Sequence, residues 1–393
     1  MSIQPFTIAI QEAAVSDLHE RIAHTRWPTQ LPGIGWSRGV PLDYLKELAS
    51  YWQTSYDWRK HETRLNEIPQ WVTQIDAQTI HFLHVRSPEP DALPLILTHG
   101  WPSSPVEFLK LIGPLTDPRA HGGNPSNAFH VVIPSLPGYG FSTPMREVGW
   151  GNLFRVAQAW MELMSRLGYE RYAAHGTDAG SGVALILGMI DAERVIGVHL
   201  TGTAAAYPFG PPLDLTGLSE ADRARGERFN QMQVDGIGYL WLQSTRPQTL
   251  AYLLNDTPVG QLAWIVERFQ AGIGPEVSLP EEAVDLDQLL TNVSIFWFTG
   301  TGATSANAMY EGMQAYRAME SAPKSPSNSR PDQKAAAPTG VAVFASDTTI
   351  RSIFDPGNRI AHWSQFDRGG HFPAMEVPDL LVGDIQAFFR KHR

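Results

Sequence analysis

The feature that most constrains the fold is a series of short apolar segments that alternate with helical patterns from about residue 76 onward. The strand-like segments lie at 80–85, 94–98, 130–134, 172–175 and 195–200, and helical patterns occupy 153–167 and 181–191. Strands that alternate with helices favour a mostly parallel sheet covered by helices on both faces. The sequence therefore predicts an α/β protein.

The alternation stops at about residue 205, and the pattern stays helical to about residue 320. Strand patterns then resume at 341–344 and 360–366, before a closing helix at 378–393. Helices inserted late in a parallel sheet are typical of a cap. Residues 1–75 are rich in tryptophan and proline, lack a strand series of their own, and are expected to wrap onto the rest. The predicted units are an N-terminal extension (1–75), a core in two parts (76–204 and 321–393) and a helical cap (205–320).

Composition excludes several classes of function. The chain has no cysteine, which removes disulfides, thiolate nucleophiles and cysteine-based metal sites. Its formal net charge of −10 disfavours nucleic acid and anionic membranes as partners. There is no P-loop, no dinucleotide fingerprint and no cluster of metal ligands, so no metal or organic cofactor is expected. Without a signal-peptide pattern or a long apolar run, the protein is predicted to be soluble and cytoplasmic.

The motif Gly176-Thr-Asp178-Ala-Gly180 lies between a predicted strand and a predicted helix. It has the form G-x-nucleophile-x-G of a nucleophile elbow, with aspartate where esterases carry serine. A carboxylate at this position suits attack on a saturated carbon, such as that of an epoxide or a haloalkane, and formation of an ester. Taken alone, the motif is also compatible with an aspartate that only caps the helix.

Three further features favour the catalytic interpretation. His99-Gly-Trp-Pro102 follows a predicted strand, and the backbone N–H groups of Trp101 and Ala179 would form an oxyanion hole, although this motif alone could be a tight turn. His371 lies between flexible glycines and a phenylalanine after the last strand, where a general base belongs. Asp347 follows the strand at 341–344 and could orient that histidine, or simply form a turn. The order Asp178, Asp347, His371 is that of the α/β-hydrolase fold.

Further motifs lie outside the catalytic segments. The N-terminal part contains Thr25-Arg-Trp-Pro28, Tyr51-Trp52 and Tyr56-Asp-Trp-Arg59. The predicted cap contains Gly238-Tyr239, Gln243-Ser-Thr-Arg-Pro247, Leu254–Gly260, Phe298-Thr-Gly-Thr301 and Met309-Tyr310. With these motifs, the chain resembles the microsomal-type epoxide hydrolases, including bacterial relatives and the insect juvenile-hormone enzymes, over nearly its whole length.

The resemblance implies a bacterial epoxide hydrolase that forms a vicinal diol through a covalent aspartyl ester. Tyr239 and Tyr310 would polarise and protonate the epoxide oxygen, because ring opening develops negative charge there. The expected partner is a small-molecule epoxide, and a homodimer is possible. A haloalkane dehalogenase with the same triad is the alternative, although Ala179 stands where such enzymes often carry a halide-binding tryptophan. A non-catalytic ligand-binding protein on the same scaffold is the second.

Overall fold

The computed structural model describes residues 2–203, 208–321 and 336–393, and its described strands form one nine-stranded sheet. The strand order is β1-β2-β3-β5-β4-β6-β7-β8-β9. The strands are β1 (Gln4–Pro5), β2 (Gln70–Ile75), β3 (Gln78–Val85), β4 (Leu93–Thr98), β5 (Phe129–Pro134), β6 (Tyr172–Thr177), β7 (Val195–Thr201), β8 (Thr339–Val343) and β9 (His362–Gln365). The six strands from β4 to β9 are parallel, and β1 to β3 form an antiparallel edge. The predicted α/β fold with a mostly parallel sheet is confirmed.

Helices surround this sheet, and most of them fall where the sequence pattern predicts. They are α1 (Glu12–Ala23), α2 (Leu42–Thr54), α3 (Trp58–Asn66), α4 (Leu109–Thr116), α5 (Leu153–Arg166), α6 (Ala179–Ile190), α7 (Glu220–Gln231), α8 (Gly238–Gln243), α9 (Pro247–Asp256), α10 (Pro258–Gly272), α11 (Pro280–Ala283), α12 (Leu286–Thr299), α13 (Thr301–Ser321), α14 (Arg351–Phe354), α15 (Pro373–Glu376) and α16 (Pro378–Phe389). Two 3-10 turns at Pro105–Phe108 and Pro125–Asn127 and a π turn at Met232–Gly236 complete them.

The central parallel strands are buried on both faces, which explains their continuous apolar sequence. Every residue of β6 and β7 is buried. Helices α5 and α6 pack on one face and α4 and α16 on the other, around two separate apolar clusters. The indole N–H of the fully buried Trp160 on α5 donates to the Thr98 hydroxyl at 3.1 Å, which ties this helix to the end of β4. The carboxyl ends of the central strands are therefore held rigidly.

The N-terminal extension covers the cap and also completes the sheet. Its helices meet α12 through buried polar contacts: the Trp52 indole N–H donates to the Ser294 hydroxyl at 2.9 Å, and Tyr51 donates to Asp287 at 2.9 Å. The sequence pattern did not reveal that the extension also supplies β1 and β2. A two-residue strand cannot show a period, and β2 is defined by its pairing with β3.

Helices α7 to α13 lie between β7 and β8 in the chain, and this group of helices is called the cap below. Two of them contact loops that follow the parallel strands: the Asn292 side-chain amide donates to the Pro102 carbonyl at 2.7 Å, and the Thr304 hydroxyl donates to the Gly138 carbonyl at 2.6 Å. The cap therefore faces the edge of the sheet where α/β proteins bind ligands. The predicted boundary at residue 205 lies outside the described residues, α13 ends at Ser321, and the division into domains stays a prediction. None of the described helices is both long and apolar enough to cross a membrane.

Candidate active site

Asp178 lies at a sharp turn between β6 and α6, as the elbow motif predicts. Its φ of 52° and ψ of −124° are a strained combination for a residue with a side chain. The turn is possible because its flanking residues are small: a Cβ on Gly176 would collide with the Gly180 carbonyl, and a Cβ on Gly180 would collide with the Thr98 carbonyl. The strained turn presents the Asp178 carboxylate, which keeps 32% of its accessible surface, toward the cap.

The loop after β4 supplies a backbone donor to this carboxylate. The Trp101 N–H donates to Asp178 Oδ1 at 3.1 Å. Gly100 permits that approach, because a Cβ there would overlap the Asp178 side chain. Ala179 is the first residue of α6, so its N–H has no partner within the helix and remains free to donate. Both amides predicted for an oxyanion hole therefore belong to backbone that adjoins Asp178.

His371 faces the other oxygen of the same carboxylate, with 3.6 Å between its Nε2 and Asp178 Oδ2. Burial lowers the pKa of this imidazole, Asp178 opposes that effect, and the cation of Arg268 adds to it. The imidazole is therefore neutral near pH 7, as a general base requires.

The loop that carries His371 is hydrogen-bonded to the cap. The His371 N–H donates to the Gly272 carbonyl at 2.7 Å, at the end of α10. Glu376 accepts from the Phe372 N–H and from the Gly274 N–H, both at 2.9 Å, and so joins the loop to the cap. The position of His371 therefore depends on these contacts with the cap.

Asp347 lies in the turn after β8, as predicted, with 7% of its surface exposed. Burial raises the pKa of its carboxyl to about 7, although backbone N–H groups, including that of Gly202, oppose the rise. Its Oδ2 has no hydrogen-bond partner among the described residues, so no hydrogen bond joins it to His371 there. Gly202 lies against both residues, since a Cβ on it would come within 3.4 Å of His371 Cε1. The orienting role of Asp347 stays a prediction.

Tyr239 on α8 is the cap residue that meets this cluster. Its ring stacks on the Trp101 indole with 4.9 Å between centroids and 10° between planes. The guanidinium of Arg268 lies 4.3 Å from the centre of the Tyr239 ring and is held by a 2.9 Å bond to the Gly236 carbonyl. Burial raises the pKa of the phenol, the Arg268 cation lowers it, and Asp178 raises it. The stack places the Tyr239 phenol beside the oxyanion loop, the loop after β4 whose Trp101 N–H donates to Asp178.

Tyr310 is the second predicted phenol. It lies on α13 with 37% of its surface exposed, and no hydrogen bond, ring contact or charge interaction in the described structure links it to the cluster. The preceding residue, Met309, faces α8 instead, where its Sδ accepts from the Gln243 side-chain amide at 2.9 Å. The catalytic role of Tyr310 stays a prediction without a supporting contact.

Two further residues near Asp178 were missed by the sequence analysis. Arg268 lies in a helical run with no motif, so only the fold could reveal its position over Tyr239. Tyr139 lies in Leu136-Pro-Gly-Tyr-Gly140, a sequence typical of a turn. The two glycines that flank the aromatic residue were the feature that could have indicated a site residue there. No group of three or more His, Cys, Asp or Glu able to hold a metal occurs in the described part of the chain.

The sheet, the inserted cap and the strained turn define an α/β-hydrolase whose elbow carries a carboxylate instead of a hydroxyl. Comparisons with known proteins agree. A family model described as the epoxide hydrolase N terminus matches residues 3–108, and one described as the alpha/beta hydrolase fold matches residues 94–235.

Relatives extend the match to the full chain. A provisionally named epoxide hydrolase of Stigmatella aurantiaca is 43% identical over 100% of this chain and 86% of its own. Epoxide hydrolase 1 of Sus scrofa is 33% identical, covering 98% of this chain and 88% of its own. The solved structure of Aspergillus niger epoxide hydrolase is 28% identical, with a TM-score of 0.84, over 100% of this chain and 97% of its own. The protein belongs to the microsomal-type epoxide hydrolase family.

Proposed function

We propose that this protein hydrolyses an epoxide to a vicinal diol through an ester on Asp178. The observation that carries the proposal is that the two carboxylate oxygens of Asp178 have different neighbours. Oδ1 accepts the Trp101 N–H, whereas Oδ2 lies 3.6 Å from the His371 imidazole. One oxygen is thus held at an oxyanion site, and the other is available for attack.

In the first step, Asp178 Oδ2 forms a bond to an epoxide carbon while that carbon's bond to the epoxide oxygen breaks. The electron pair of the broken bond goes to the oxygen, and Tyr239 supplies a proton to it. The Arg268 cation, 4.3 Å from the ring centre, stabilises the phenolate that Tyr239 becomes. A hydroxyalkyl ester results, whose carbonyl oxygen is Oδ1.

In the second step, His371 removes a proton from water, and the hydroxide attacks the ester carbonyl carbon. Negative charge develops on Oδ1, where the Trp101 and Ala179 N–H groups can stabilise it. The bond between Asp178 Cγ and Oδ2 breaks, so Oδ2 leaves as part of the diol and the oxygen of the water takes its place in the carboxyl group. Of the two protons of that water, one passes to the leaving alkoxide and the other to the Tyr239 phenolate, which restores the Asp178 carboxylate, the Tyr239 phenol and the neutral His371 imidazole. Asp347, if ionised, would stabilise the imidazolium formed during this step.

A haloalkane dehalogenase would share Asp178 and His371, but the comparisons give it no support. The phenol stacked over the oxyanion loop suits a developing alkoxide, whereas a departing halide needs no proton. The cytoplasmic location and the homodimer stay predictions.

The proposal is tested by intact-protein mass spectrometry of the His371→Gln variant after incubation with styrene oxide. The ester should form but not hydrolyse, so the mass should rise by that of the whole epoxide. The mass increase should vanish when Asp178 is also changed to alanine. The His24→Gln variant, altered at an exposed histidine that directly follows α1, should hydrolyse the ester normally and show no accumulated adduct at steady state.

Incubation of the same variant with 1-bromobutane separates the two reactions. An adduct of the butyl group alone, with bromide released and no adduct from styrene oxide, would identify a dehalogenase. An epoxide adduct that persists after Asp178→Ala would show that another residue is the nucleophile.

A further inference from the structure

The carboxylate of Glu376 has no role in the two proposed steps, although both of its oxygens accept hydrogen bonds next to the base. Its Oε1 accepts from the Phe372 N–H and its Oε2 from the Gly274 N–H, each at 2.9 Å. Phe372 directly follows His371, and Gly274 lies in the cap, just after α10. These two bonds, called the Glu376 bridge below, join the loop of His371 to the cap through one side chain.

Glu376 itself is fixed to the core. It is the last residue of α15, and the Lys110 ammonium of α4 donates to the Met375 carbonyl of that short helix at 2.9 Å. The bond from Phe372 satisfies an N–H at the start of α15 and so has a local explanation. The bond from Gly274 has no such explanation, because it joins residues that are far apart in the chain. Glu376 therefore connects the core, the loop of His371 and the cap.

The loop of His371 packs tightly against the end of α10. The Gly272 carbonyl accepts the His371 N–H at 2.7 Å, and the Phe269 ring stacks on the Phe372 ring with 4.1 Å between centroids and 12° between planes. A Cβ on Gly272 would come within 3.0 Å of His371 Cβ, and a Cβ on Gly370 would collide with the Gly272 carbonyl. Because this packing leaves no room toward the cap, a displaced loop would move away from it.

Loss of the Glu376 bridge would displace the loop rather than the cap. The side chains of Asn292 and Thr304 hold the cap to other loops through bonds of 2.7 and 2.6 Å, so the cap keeps its position without Glu376. The loop of His371 contains Gly369 and Gly370, and glycine restricts the backbone less than other residues do. The part of this junction that moves most easily is therefore the part that carries the base.

We propose that Glu376 is a positioning residue for ester hydrolysis, and that the Glu376 bridge keeps the loop of His371 against the end of α10. This inference rests on the proposed function. Ester formation requires the Asp178 carboxylate and the Tyr239 phenol, and neither is hydrogen-bonded to Glu376 in the described part of the chain. Only the second step requires His371 as a base, so the bridge should act on that step alone.

Glu376 can be changed without the loss of an ion pair. Burial raises the pKa of its carboxyl to about 7, and the groups that oppose this rise are backbone N–H groups, not cations. The Glu376→Gln variant keeps the shape of the side chain, but its amide nitrogen cannot accept the N–H that the replaced oxygen accepted. The Glu376→Asp variant keeps the carboxylate on a shorter side chain, which cannot reach both donors.

The experiment measures ester formation and ester hydrolysis separately, in single-turnover reactions of the wild type and the variants with styrene oxide. The ester is trapped by acid quench and counted by mass spectrometry, and thermal unfolding is recorded for each protein. Asp355→Asn is the matched control, because Asp355 also accepts one backbone N–H on each oxygen, from Arg359 at 2.8 Å and from Ile360 at 2.9 Å. Both donors lie in the turn before β9, so neither bond involves the loop of His371.

A displacement of about 1 Å at a reacting group can slow a step by about 10²-fold. We expect Glu376→Gln to slow ester hydrolysis by about 10- to 100-fold and to leave ester formation within about twofold of wild type, so that ester accumulates at steady state. Asp355→Asn should leave both steps within about twofold of wild type. A merely structural role for Glu376 predicts instead that both substitutions lower the unfolding temperature and change the two steps alike.

This inference is overturned if Glu376→Gln slows ester hydrolysis by less than about fivefold relative to ester formation. Glu376→Asp decides the question by the same criterion if Glu376→Gln does not fold, and the inference is also rejected if neither variant folds. These results leave the proposed function intact, because the wild type still forms and hydrolyses the ester. If the wild type itself forms no ester from styrene oxide or from an aliphatic epoxide such as 1,2-epoxyhexane, the proposed function fails, and this inference fails with it.

Discussion

Replacing Asp347 by asparagine should stabilise the folded protein above neutral pH and destabilise it in acid. Burial raises the pKa of this carboxyl from 3.8 to about 7. A group with a raised pKa in the folded state contributes stability that is present below the unfolded pKa and lost as the pH rises through the folded pKa. The wild type should therefore lose stability between about pH 4 and pH 7 through this residue.

The magnitude follows from the size of the rise. About three pH units at about 1.4 kcal/mol each give up to about 4 kcal/mol for keeping the ionised carboxylate buried above pH 7. Asparagine cannot ionise, so it avoids this cost. Its amide nitrogen, placed where Oδ2 finds no partner, would be an unsatisfied buried donor that costs about 1–3 kcal/mol. The variant should be about 1–3 kcal/mol more stable than wild type at pH 8.5 and less stable by a similar amount at pH 4.

Urea unfolding at several pH values measures this difference, and the stability curves of the two proteins should cross. Asp384→Asn is the matched control with the opposite sign. Burial disfavours the charge of Asp384, but hydrogen bonds from His199, Ser364 and His362 outweigh that effect and lower the pKa of the carboxyl to about 2. Its contribution is present above pH 4 and lost as the pH falls toward 2, so that variant should be less stable by about 2 kcal/mol or more at pH 7.

The same Asp347 variant should be impaired in catalysis. If the ionised carboxylate stabilises the His371 imidazolium, ester hydrolysis should slow by about 10²–10⁴-fold, while ester formation stays near the wild-type rate. The reasoning is refuted if the stability difference is independent of pH, or if the variant is the less stable protein at pH 8.5. Unchanged ester hydrolysis would remove Asp347 from the mechanism without affecting the stability argument.

Three further predictions follow from the site. Arg268→Met should raise the pKa of Tyr239, measured by ¹⁹F NMR titration of fluorotyrosine-labelled protein, and slow ester formation by about tenfold in single-turnover experiments. An unchanged titration of the Tyr239 resonance would contradict the effect of the Arg268 cation. Gly180→Ala should cost more than about 3 kcal/mol or prevent folding, because its Cβ meets backbone, whereas Gly383→Ala, which meets nothing, should be neutral or stabilising in thermal unfolding. The rate of ester hydrolysis should stay at its maximum as the pH is lowered to 6.5 and should decrease only at lower pH, because the pKa of His371 is lowered. A rate that already decreases above pH 6.5 would contradict this prediction.

Local patterns in the sequence determined the parallel sheet, the late cap and the elbow. Strands buried on both faces must be continuously apolar, and the strained turn at Asp178 needs small residues at 176 and 180, so both leave marks in a single stretch of chain. The position of His371 was predictable for the same reason, since glycines in a loop after the last strand precede it.

Only the tertiary structure decided which groups share the space above Asp178. On α13, Tyr310 is exposed, whereas the preceding Met309 contacts Gln243 on the helix of Tyr239. Tyr139, Tyr239 and Arg268 are separated by tens to more than a hundred residues in the chain, and they meet because the loop after β5 and two cap helices converge there. The charge state of Asp347 is equally a property of the fold, because burial sets its pKa and no sequence pattern records how deeply a turn is covered.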